Sequence, residues 1–151
     1  MPTGTLFDPV VNQDILRRVA CLQPTTQRQW GKMTVAQMLE HSARALDMAS
    51  GQTPSQQAWL GKLIGWIFRK GFVGETPFRR NSPTGPDFII RDEPDFRRAQ
   101  ERLTALVTEF HALGERGCDG NIHGFFGRMT GAEWGVTQYK HLDHHLRQFG
   151  A

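Results

Sequence analysis

Apolar residues recur at helical spacing in four separated stretches of the chain, each bounded by residues suited to start or stop a helix. Val11, Ile15, Leu16, Val19 and Leu22 follow Asp8-Pro9, an N-cap with proline in the first turn, and the pattern stops before Pro24. Thr34-Val35-Ala36-Gln37 is a capping box that opens a second helix running to about Ser50, with Gly51 as its stop. Asp92-Glu93-Pro94 opens a third, whose stripe of Phe96, Leu103, Leu106, Val107, Phe110 and Leu113 ends at Gly114. Thr130-Gly131-Ala132-Glu133 is a second capping box and starts a fourth helix that reaches about Phe149 before Gly150.

Between the second and third helices lies a connection of roughly 40 residues, too long for a helical hairpin and suited to a crossover. Within it Trp59, Leu60, Leu63, Ile64, Ile67 and Phe68 keep helical spacing and are followed by Arg69 and Lys70, which predicts one short helix. Such a helix covers the open end of a core or, with Lys62, Arg69 and Lys70 beside its aromatic residues, lies on a membrane surface. From Gly71 to Pro86 the glycines and prolines predict irregular loop. A second irregular stretch, Glu115 to Met129, carries Gly117, Gly120, Gly124 and Gly127 without a phosphate-binding pattern, and its Phe125 and Phe126 are suited to closing the end of the helical core.

The faces of the helices sort the six histidines. On the second helix His41 shares a face with Met38, Ala45 and Met48, at the border of the packed side. On the fourth, Tyr139, Leu142, Leu146 and Phe149 form the apolar seam, flanked by Trp134, Gln138, His141, His145 and Gln148. Lys140, Asp143, His144 and Arg147 fall on the opposite side, so His144 is expected in solvent, as is His111, which lies off the third helix's stripe. His123 is read either as a site-lining residue or as a loop histidine with a local hydrogen bond.

Length and composition frame these elements as one domain over residues 1–151, with 38% hydrophobic residues sufficient for a single core. The 18 basic residues are interspersed with 15 acidic ones, which argues against a nucleic-acid face despite the charge of +3. Cys21 and Cys118 fit neither a disulfide framework nor a zinc-ribbon spacing and read as reduced thiols. Met1-Pro2-Thr3-Gly4-Thr5 has no basic and apolar leader pattern, and no stretch reaches the roughly 18 apolar residues of a spanning helix. The expectation is a cytoplasmic protein with no stable membrane insertion.

His141 and His145 stand one turn apart on one helix face, and His41 occupies the corresponding border of another helix. Each of the three has a bland reading, a core-edge histidine bonded to a carbonyl. Together they form a candidate site for a divalent metal, zinc or nickel, with an open position of the kind catalytic ions keep. No carboxylate stands at a spacing that marks a general base, and no serine or cysteine sits in a nucleophile's context.

Trp30 to His41, Arg80-Asn81-Ser82-Pro83-Thr84-Gly85-Pro86, and His123-Gly124-Phe125-Phe126-Gly127-Arg128-Met129-Thr130 through Trp134 to Tyr139-Lys140-His141-Leu142-Asp143-His144-His145 and Gly150 resemble the DUF1569 family. One departure is Gly124, where proline is expected. The family is placed in the DinB-like superfamily, which implies an all-α four-helix bundle with a crossover between helices 2 and 3. The resemblance also implies a divalent metal held by one histidine of the second helix and an H-x-x-x-H pair of the fourth, here His41, His141 and His145. It further implies a thiol-dependent transferase or isomerase, or a hydrolase, acting on a small-molecule substrate, with a low-molecular-weight thiol as cosubstrate in some relatives and homodimers in others. Gln138, Trp134 and His123 are the expected pocket lining. The competing reading is a non-catalytic bundle that binds a partner or membrane surface through residues 59–73.

Overall fold

A computed structural model describes residues 4–151; Met1, Pro2 and Thr3 of the opening segment lie outside the described residues. The described residues form five α-helices: α1 (Pro9–Cys21), α2 (Val35–Ala49), α3 (Trp59–Val73), α4 (Phe96–Cys118) and α5 (Gly131–Gln148). A single turn of 3-10 helix, Pro86–Phe88, precedes α4. One hairpin, β1 (Ile122–His123) antiparallel to β2 (Gly127–Arg128), precedes α5.

The expected caps set the boundaries. Asp8 accepts from the amides of Val10 and Val11, and the Thr34–Gln37 and Thr130–Glu133 boxes are both reciprocal. The third long helix differs at both ends, being capped by Asp95 and continuing past Gly114 to Cys118. Gly114 takes φ 68°, a value that only a residue without Cβ adopts cheaply, so the long helix is broken there as its position predicts, and a further short turn carries on to Cys118.

Helix α4 packs against α1, α2 and α5, and α5 also packs against α1 and α2. Their apolar stripes meet in one core that includes Ile15, Leu39, Leu46, Leu103, Trp134 and Leu146, all fully buried. The segment from the end of α2 to the start of α4 wraps outside this core, and α3 docks on α5 and β2.

Trp134 is the largest fully buried side chain, and its indole nitrogen donates to the Asn121 carbonyl at 3.3 Å. Trp134→Ala is expected to lower unfolding stability by about 3–5 kcal/mol in urea titrations, because both packing and a buried hydrogen bond are lost. His111 is half-buried, contrary to its expected solvent position: its Nδ1 stands 3.1 Å from the Leu6 carbonyl, which the N-terminal segment carries over α4. Cys21 and Cys118 are free, and burial pushes the Cys118 thiol up to about 11, so it stays protonated.

Candidate metal centre

Two capped helices bring His41, His141 and His145 together. One ligating ring nitrogen of each lies within 4.8 Å of the others, with His41 and His145 buried and His141 half-buried. His41 Nδ1 stands 2.9 Å from the Phe88 carbonyl, which can only accept, so Nδ1 carries the proton and Nε2 is bare. His145 Nδ1 stands 2.9 Å from Gln148 Oε1. The Gln148 amide nitrogen donates to the Trp30 carbonyl at 2.9 Å, which fixes the amide orientation and makes His145 Nδ1 the donor. Two of the three rings are therefore held in the tautomer whose Nε2 can ligate.

The third ring tests whether the cluster suits a cation. His141 Nε2 faces His41 Nε2 at 2.9 Å, and since the latter is bare, the contact is favourable when His141 Nε2 holds the proton. That leaves His141 Nδ1 a bare acceptor. Among the described residues it has no hydrogen-bond partner, and neither does the buried Oε1 of Gln138, one turn earlier on the same helix. Two orphaned acceptors are a costly arrangement in a buried site. With a cation held on the Nε2 atoms, the His141 proton would sit on Nδ1, and that orphaned acceptor would become a donor. Nitrogens around a tetrahedral ion stand roughly 3.3 Å apart, so the His41–His141 pair needs to open only slightly. The donor set fits a borderline metal such as zinc or nickel.

Burial holds the cluster neutral. It lowers the pKa of His145 to about 3 and that of His141 well below the usual imidazole range, with repulsion from the neighbouring histidines adding to both. His41 is also lowered by burial, partly offset by its bond to Phe88. Neutral rings are the ligating form.

The other expected site residues divide. Gln138 is buried one turn before His141, with its Oε1 unpartnered. Trp134 is fully buried core and does not line the cleft described below. His123 Nδ1 accepts from the amides of Phe125 and Phe126 at 3.0 and 3.3 Å, so it builds the hairpin turn, and burial lowers its pKa to about 4. His144, expected in solvent, is half-buried, with its ring centroid 5.1 Å from that of His145. It lines a cleft of about 460 Å³ with Trp30, Phe78, Arg80, Tyr139 and Arg147. None of the three clustered histidines lines that cleft, and His144 stands between it and His145.

Two partners escaped the sequence reading. The Phe88 carbonyl could not be found from residue identity, because its position depends on the irregular segment before α4. Gln148 carried a signal, a polar side chain three positions after His145 on the same flank.

A family model described as a protein of unknown function, DUF1569, matches residues 11–151. No curated protein and no solved structure matches the chain.

Proposed function

The chain belongs to the DUF1569 family, and we propose that it is a divalent-metal-dependent enzyme whose ion is held by His41, His141 and His145. The observation that carries this reading is the convergence of three neutral ring nitrogens in a buried site, two of them fixed in the ligating tautomer. The packing of α1, α2, α4 and α5 with a long excursion between α2 and α4 supports placing the chain among DinB-like four-helix bundles with a crossover.

When bound, zinc or nickel supplies a Lewis acid whose charge, uncompensated by any carboxylate of the cluster, favours the deprotonated form of a thiol or water. The chain's own residues do the rest. Phe88 and Gln148 hold the Nδ1 protons of His41 and His145, so the rings keep their aim. The cleft beside His144 is the place for a small molecule; it carries both charges, with Arg80 over Trp30, Arg147 paired with Asp143, and Glu75. This chemistry serves a thiol-dependent transferase or isomerase, or a hydrolase.

Cobalt-loaded protein tests the reading. Addition of glutathione is expected to produce a sulfur-to-cobalt charge-transfer band, because an open position accepts thiolate; a cobalt spectrum indifferent to thiols and to pH would oppose an open catalytic site. Gln138→Leu is expected to weaken zinc binding by roughly 10–100-fold in competition with a chelating dye, since it removes the unpartnered buried acceptor one turn from His141. Unchanged affinity would remove Gln138 from the site.

A further inference from the structure

Helix α3 exposes what helices ordinarily bury. Only Gly61 and Gly65 of its residues are buried, whereas Trp59 and Trp66 are 73% and 74% exposed and Leu60, Leu63, Ile67 and Phe68 are exposed with them. The helix meets the core through Phe72 and Val73 at its C-terminal end and lies against the body of the protein through Gly61 and Gly65, while its tryptophans face outward. A patch of this size on a chain of this length marks an interaction surface.

The orientation is built in. A Cβ on Gly61 would stand 2.1 Å from the Phe125 carbonyl oxygen, so only glycine permits this face to dock. On the same side Arg69 donates to the Phe126 and Arg128 carbonyls and pairs with Glu133 at 2.7 Å. At the C-terminal end the buried Lys140 ammonium donates to the carbonyls of Gly71, Phe72 and Gly74, satisfying the end of the helix and opposing its dipole. This lysine was expected on the solvent side of its own helix; the carbonyls of α3 draw it in. Rolling α3 to hide its tryptophans would break all of these contacts.

Charge selects the occupant. No carboxylate occurs between Asp47 and Glu75, while Lys62 borders the apolar face and Lys70 closes its end, both exposed. A second copy docked helix to helix would set lysines against lysines with no carboxylate on either helix. An anionic bilayer supplies both the acyl boundary for the tryptophans, leucines and isoleucine and the negative headgroups for the lysines. No helix among the described residues is long and apolar enough to cross a membrane. We infer that α3 lies in the surface of an anionic membrane, seating the protein there through Trp59, Leu63, Trp66 and Ile67 with Lys62 and Lys70 on the headgroups. This docking is independent of the metal reading.

Co-sedimentation of the full chain with vesicles of equimolar phosphatidylcholine and phosphatidylglycerol tests it. Binding is expected at low salt, weakened by added salt, with weaker binding to phosphatidylcholine alone. The double variant Trp59→Glu, Trp66→Glu should reduce binding by roughly ten-fold or more, with the helical circular dichroism retained because both positions are exposed. Lys62→Glu with Lys70→Glu leaves the apolar set in place and should abolish the preference for the anionic lipid. The inference is overturned if the native chain fails to sediment at low salt, if the tryptophan variant binds as well as the native chain, or if the lysine variant keeps its preference for the anionic lipid. A lipid-free dimer dispersed by Trp66→Glu would equally overturn it and assign the face to a second copy.

Discussion

Replacing His145 by alanine is expected to weaken zinc or nickel binding by well over the roughly 10–100-fold that the loss of an outer partner costs, because a ligand is removed outright. The fold should persist, since the ring lies at the edge of the core and its neighbours Leu142 and Leu146 carry the packing. Helical circular dichroism therefore serves as the control, and competition with a chelating dye as the readout. The rest of the cluster makes the result specific. His41 and His141 would still face each other at 2.9 Å, able to share one proton but offering only two nitrogens to an ion. Full affinity in His145→Ala, with the fold intact, would assign the metal to other residues.

Acid is expected to destabilise the metal-free protein far more than most single substitutions do. Burial holds His123 and His145 at about 4 and about 3, against 6.5 for a solvated imidazole, so both stay neutral in the folded chain at pH 5 and become charged when it unfolds. A histidine with a lowered folded pKa contributes stability that is intact above pH 6.5 and is lost as pH falls from there toward the folded value. Each of the two should cost about 2 kcal/mol between pH 7 and pH 5, and His41 and His141, also lowered by burial, act in the same direction. The urea midpoint of chelator-treated protein should accordingly drop steeply over this interval. Metal at a hundred times its dissociation constant should restore roughly 2.7 kcal/mol. A midpoint unchanged between pH 7 and pH 5 would mean that these rings are charged, or solvated, in the folded state.

Much of this site was legible because helix starts are written in side-chain chemistry. Thr34 with Gln37 and Thr130 with Glu133 set where α2 and α5 begin, and the 3.6-residue period then places His41, His141 and His145 on inward faces. What resisted reading depends on contacts between segments distant in sequence. His144 and Lys140 sit on the polar side of α5 by periodicity, yet the connection between α2 and α4 folds over that side and half-buries one and buries the other. The hairpin of Ile122–His123 with Gly127–Arg128 has strands of two residues, too short for an alternating pattern to declare itself. In α3 the period was visible but its phase was inverted: glycine, the residue least expected to mark a buried face, marks it because the Phe125 backbone comes so close. Gly114 does break the third long helix, and what its position did not disclose is the further turn that follows it to Cys118.

Elemental analysis of the untagged protein, reconstituted with zinc or nickel and dialysed, tests the three-histidine centre most directly when His41→Ala is carried alongside. The account predicts about one ion per chain in the native protein and close to none in the variant. No ion retained by the native protein, or equal retention by both, would contradict it.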